Sequence, residues 1–169
     1  MNPITNNQFL AAIIEEAAWK AISRKGEWTM DALEKYQDKV DWEEISSNSD
    51  VMWTVEGVNK FINKIDWEEF SRYCPAYLLT EENLLRFKSN WDWSRLSLRE
   101  EIYNNWELLD AVAELVDWRE IITGWNIKHP IRFFKRYESH IPMSQLQDSR
   151  FWADLIDAVG DSIKSSIAE

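Results

Sequence analysis

Apolar and polar positions along the chain repeat with a period of about 25 residues, within the range of stacked repeat units. The period is anchored on an Asp-Trp dipeptide, found at Asp41-Trp42, Asp66-Trp67, Asp92-Trp93 and Asp117-Trp118. Two weaker copies extend the series at nearly the same spacing. Ala18-Trp19 stands before the first of these and Pro142-Met143 after the last. A regular period of this length marks a stacked repeat architecture, in which each unit needs its neighbours to bury its apolar face.

Numbered from the tryptophan, four further positions are apolar in all six copies. Three residues after it stand Ile22, Ile45, Phe70, Leu96, Ile121 and Leu146; two before it, Ala17, Val40, Ile65, Trp91, Val116 and Ile141. Six before it stand Ile13, Tyr36, Phe61, Phe87, Val112 and Tyr137; nine before it, Leu10, Leu33, Val58, Leu84, Leu109 and Phe134. Positions −9, −6 and −2 share one face of a helix, so a first helix is predicted from about −12 to −2. Thr29, Thr54, Thr80 and Asn105 are suited to cap its start, and Pro130 to open it. Its outer face sets Asp31 before Lys35, Glu56 before Lys60 and Glu82 before Arg86. All are acid-before-base at i, i+4, which predicts intrahelical pairs.

The aspartate of each Asp-Trp is then expected to cap a second, shorter helix. Glu44 and Glu69, three residues on, and Glu120 after Asp117, complete a capping-box-like arrangement. Ser46, Ser71 and Ser97 close that helix, and Trp28, Trp53 and Leu79 follow in the next loop. The end units are atypical, as ends of a stack should be. The segment Asp148 to Gly160 reads as a closing amphipathic helix. The pattern predicts an all-α protein: one domain over 1–169, a short right-handed α-solenoid of six helical pairs with a C-terminal capping helix.

The segment Trp28-Thr-Met-Asp-Ala-Leu-Glu-Lys-Tyr-Gln-Asp-Lys-Val-Asp-Trp-Glu-Glu-Ile-Ser-Ser-Asn48 resembles a tandem repeat found in bacterial and large-DNA-virus proteins. That repeat has a Lys-Phe/Tyr-x-x-Lys-x-Asp-Trp-x-x-Ile/Leu-Ser core. The likeness is close over residues 28–97 and looser over 98–146. It implies helical repeats and carries no catalytic role.

Composition and charge narrow the function. The formal net charge of −11 disfavours nucleic acid and anionic lipid as partners and suits a basic protein. From Glu27 to Phe70 stand 12 acidic and 4 basic residues, whereas from Trp125 to Arg150 stand 5 basic and 2 acidic. One cysteine permits no internal disulfide, and one Cys with two His is too few for a structural zinc site. The stretch Met1 to Ile22 lacks a basic n-region, and Glu15 and Glu16 interrupt it, so neither a leader nor a membrane span is expected. The expected location is cytoplasmic.

Chemistry offers little. Cys74 follows Arg72-Tyr73 and precedes Pro75 without an activating motif. His129 and His140 stand at opposite ends of one predicted helix and cannot share a metal there. Glu43-Glu44 and Glu68-Glu69 recur with the repeat, which argues for capping over acid–base work. No catalytic residue, metal or cofactor is expected. Trp106 and Trp125 break the repeat pattern and are expected to be partly exposed. The candidate partner-binding residues are therefore Glu43, Glu44, Asp50, Glu68, Glu69, Trp106 and Trp125. The reading is a non-catalytic protein-binding repeat protein. An immunity or antitoxin type of inhibitor, covering a basic surface of a toxin, fits best. A general scaffold or adaptor solenoid with a charge-independent partner is the alternative.

Overall fold

A computed structural model describes residues 6–167. The expectation about a leader rests partly on residues 1–5, which lie outside the described residues. The described chain is mostly helical, with thirteen α-helices and one 3-10 turn and no β-strand among the described residues. A single isolated parallel bridge joins Trp28 to Val51. The chain divides into two compact units, Met1–Leu78 and Leu79–Glu169.

The first unit contains α1 (Gln8–Lys25), α2 (Met30–Tyr36), α3 (Trp42–Ser47), α4 (Val55–Lys60) and α5 (Trp67–Tyr73). The predicted threonine caps form: Thr29 Oγ1 accepts the Ala32 N–H and Thr54 Oγ1 accepts that of Gly57. Asp41 and Asp66 cap α3 and α5 by accepting the N–H of Glu44 and of Glu69, each at 3.1 Å. Helix α3 packs against both α1 and α5.

The first helix of each pair is shorter than its apolar spacing predicts. Helix α2 stops at Tyr36 and α4 at Lys60, and a tight turn follows. In that turn the position −6 carbonyl accepts two N–H groups, from positions −3 and −2. Tyr36 takes those of Lys39 and Val40, and Phe61 takes those of Lys64 and Ile65. The i→i+4 bond keeps position −2 on the buried side after the helix has ended. Leu33, Val40, Val58, Phe61 and Ile65 are accordingly buried.

The first copy departs from the expected pair. Residues 8–25 form one continuous helix, α1. No Gly, Pro, Ser, Thr, Asp or Asn interrupts the run from Phe9 to Ile22, and its alanines favour helix. Leu10, Ile13 and Ile22, expected in the core, are therefore 45–48% exposed. Only its C-terminal part takes the role of a second helix. Trp19 packs on Tyr36 at 5.4 Å, as Trp42 packs on Phe61 at 5.0 Å.

The second unit contains α6 (Glu81–Arg86), α7 (Trp93–Ser97), α8 (Glu100–Tyr103), α9 (Trp106–Ala111) and α10 (Trp118–Ile121), then α11 (Pro130–Tyr137), α12 (Met143–Leu146) and α13 (Arg150–Ile167). The turn recurs: Phe87, Val112 and Tyr137 each accept from residues three and four further on. Helix α8 is an addition that seats Ile102 and Tyr103 in the core. Helix α11 runs a full two turns from its N1 proline, which moves the buried site one residue back. Phe133 is buried and Phe134 only half-buried. The expected closing helix begins at Arg150 and continues to Ile167. Phe151 anchors it on Phe133 at 5.4 Å.

Candidate functional site

The Asp-Trp step sets where each acidic residue points. With Asp41 as cap, Trp42 is the first helical residue and Glu43 the second, and Glu43 is exposed. Glu44 turns inward and is 8% exposed. Its carboxylate accepts the Arg24 Nε–H at 2.7 Å, with Lys20 Nζ 3.6 Å away. The Arg24 hydrogen bond, against the cost of burial, holds the Glu44 carboxyl below its usual range. Glu44, one of the candidate partner-binding residues, therefore has its charge engaged within the fold rather than presented to solvent.

Glu68 takes the same place on α5 that Glu43 takes on α3, and it too is exposed. Glu69 is half-buried, 3.9 Å from Arg72. Asp50 is exposed, with its backbone carbonyl accepting the Trp28 N–H. Of the five candidate acids, then, Glu43, Asp50 and Glu68 present their side chains to solvent.

The capping box is built differently from the sequence expectation. Glu44 does not reach back to its cap. The Asp41 N–H instead donates to Ser23 Oγ at 3.0 Å, and the Asp66 N–H to Ser46 Oγ at 2.9 Å. Each serine hydroxyl in turn donates to the tryptophan carbonyl four residues before it: Ser23 to Trp19 at 2.7 Å and Ser46 to Trp42 at 2.6 Å. The second unit repeats the relay through Asp117, Ser97 and Trp93. These serines are buried. The sequence holds the signal, a serine four positions after the anchor tryptophan, but not its partner in the following repeat. Asn48 carries no such signal. Its Nδ2 donates to the carbonyls of Ser23 and Gly26, joining the first two repeats.

The outer charges pair between repeats more than within helices. Of the three expected i, i+4 pairs, Glu82–Arg86 forms at 2.6 Å, while Asp31–Lys35 and Glu56–Lys60 do not. Lys60 reaches Glu34 of the preceding repeat at 2.5 Å, Lys64 reaches Asp38 and Lys39 reaches Glu15. In the second unit Arg136 pairs with Asp110, and His140 stands 4.0 Å from Glu114. The rule is regular: an acid at −8 meets a base at −7 of the next repeat, and an acid at −4 meets a base at −3.

The aromatic candidates separate. Trp106, first residue of α9, is half-buried among His129, Phe133 and Tyr137, with the Arg136 guanidinium over its ring. Trp125 is 64% exposed, and the Arg150 guanidinium lies 3.8 Å from its ring centroid. Its loop is held by the Tyr103 hydroxyl, which donates to the Trp125 carbonyl at 2.7 Å. The anchor tryptophans are half-buried rather than core. Those of the four Asp-Trp steps turn the indole N–H onto the carbonyl five residues before, as Trp67 does to Ile62 at 2.9 Å, whereas Trp19 donates to the Glu15 carboxylate. The fully enclosed tryptophans are Trp28, Trp53 and Trp91.

Cys74 is buried at the end of α5. Among the described residues, no group of three or more His, Cys, Asp or Glu is placed to hold a metal ion. No described helix is long and apolar enough to cross a membrane. Comparison of the chain with protein-family models, curated proteins and solved structures gave no match.

Proposed function

We propose that this chain is a non-catalytic protein-binding repeat protein, a short right-handed α-solenoid of stacked repeats. It acts as a cytoplasmic inhibitor of the immunity or antitoxin type, covering a basic surface of its partner. One observation carries the reading. Glu43 and Glu68 stand exposed at the same place on two helices that pack together, while the neighbouring Glu44 is consumed by Arg24 inside the fold. Glu43 and Glu68, with Asp50, belong to the segment of highest acid excess. Complementary charge of this kind speeds encounter and excludes wrong partners, and salt screens it.

The test is capture from the native cell on immobilised wild-type chain and on the Glu43→Lys, Asp50→Lys, Glu68→Lys variant. A basic protein should be retained by the wild type and lost by the variant at low ionic strength. Retention of the same protein by both, indifferent to salt, overturns the acidic-surface reading. A second reading, an adaptor with a charge-independent partner, is favoured by the exposed Trp125 ring, a large amphipathic anchor of the kind enriched at interfaces.

A further inference from the structure

The last repeat carries a histidine where two earlier ones carry a lysine. Lys39, Lys64 and His140 stand at position −3, in the turn that follows the first helix of their repeats. The backbone of that turn is alike in all three. The Lys39 N–H donates to the Tyr36 carbonyl at 2.8 Å, that of Lys64 to Phe61 at 2.8 Å and that of His140 to Tyr137 at 2.9 Å. Each side chain is thereby delivered onto the preceding repeat, where it meets an acid and the anchor tryptophan.

Lys39 Nζ lies 3.1 Å from Glu15 and 5.4 Å from the Trp19 ring centroid. Lys64 Nζ lies 3.3 Å from Asp38 and 5.9 Å from the centroid of Trp42. His140 Nδ1 lies 4.0 Å from Glu114, and its ring stacks on Trp118 at 5.0 Å with an interplanar angle of 16°. Asn90 and Leu115 hold the place in the fourth and fifth repeats and carry no charge. Where a base is present, then, one positive charge serves an ion pair and an indole face together. A lysine keeps that charge throughout the physiological range, whereas a histidine ordinarily takes up its proton at about pH 6.5.

We infer that His140 is a proton-operated clamp between the last two repeats. Neutral, it only stacks on Trp118. Protonated, it adds the ion pair to Glu114 and the cation–π contact that Lys39 and Lys64 make permanently. The other charges around it do not oppose the proton. Asp117 and Arg119 line the same hollow but pair with each other at 2.9 Å. On its own element Arg136 is held by Asp110, and Glu138 is exposed and negative. Helix α12, which follows, contributes no charge. The clamp acts on the C-terminal end of the chain, because α12 and α13 come directly after it. Its stabilisation is present in mild acid and lost as pH rises through the histidine range. This inference is independent of the acidic surface.

Thermal melts of the full chain and of His140→Gln, His140→Lys and Glu114→Gln, at about pH 8 and about pH 5.5, test it. Both values lie above the carboxylate range, so the paired acids stay ionised and cancel from the comparison. The melting temperature of the wild type should gain about 2–4 °C on that of His140→Gln between the higher and the lower pH. His140→Lys should keep the wider gap at both. In the Glu114→Gln background the gain should shrink. A gap that is the same at both pH values, or narrower at the lower one, overturns the inference. So does a gain undiminished without Glu114, or a His140→Lys variant as pH-dependent as the wild type.

Discussion

The Ser46 hydroxyl accepts the backbone N–H of Asp66 at 2.9 Å and donates to the Trp42 carbonyl at 2.6 Å. One buried side chain therefore ties the end of one repeat to the cap of the next. It satisfies the Asp66 N–H, which no helix ladder reaches, and adds a second bond to the Trp42 carbonyl.

Ser46→Ala should for that reason lower stability by about 1–3 kcal/mol, the cost of leaving a buried N–H unsatisfied. Ser47→Ala, whose hydroxyl bonds only to Glu44 within its own helix, should stay within about 0.5 kcal/mol of wild type. Urea melts of the two variants measure the difference, and equal midpoints would refute the relay.

Tryptophan truncations should rank by burial and not by the repeat anchor. Trp53 is 3% exposed and packs edge-on against Phe70 at 5.0 Å, so Trp53→Ala should cost about 3–5 kcal/mol. The half-buried Trp67 should cost less, about 2 kcal/mol. The reverse order in chemical denaturation would show that the loop tryptophans are not the interior of the stack.

Stability should fall in acid with a slope set by paired carboxylates. Arg24 holds Glu44 below its ordinary range, as Arg136 holds Asp110, Arg99 holds Glu101 and Arg119 holds Asp117. The folded state therefore binds fewer protons than the unfolded state, so stability rises with pH. The contribution is complete above the unfolded carboxylate range near 4, and is lost as pH falls through it and through the lower folded values. Thermal melts between pH 7 and 3 should show this. Glu44→Gln should be less stable at pH 7, with a shallower decline below about pH 4.5. Parallel curves for the two proteins would remove Glu44 from the account.

Cys74 should react with a thiol reagent only as the first unit opens, because it is 2% exposed in the fold. Its labelling rate in increasing urea should follow the unfolding transition. Rapid labelling in native buffer would contradict its position at the end of α5.

The sequence alone determined what depends on neighbours close along the chain. The Asp-Trp caps, the threonine and asparagine caps and the buried −6 and −2 positions are all legible, because each rests on hydrogen bonds within a single turn. The exposure of Trp125 is legible because that residue falls outside the repeat pattern. The tertiary structure decided everything that crosses a repeat. Glu44 reads as a surface acid, but Arg24, in the preceding repeat, draws it inward. Lys60 is spaced to meet Glu56 and instead reaches Glu34, since neighbouring repeats bring the −7 and −8 positions side by side. The first copy carries the apolar spacing of a helical pair, yet α1 runs straight and leaves Leu10 and Ile13 in solvent. Periodicity fixes which face of an element is apolar. Whether a neighbour covers that face, and which charge lies opposite, depends on the offset between stacked elements, and that offset is set by side-chain packing rather than by spacing along the chain.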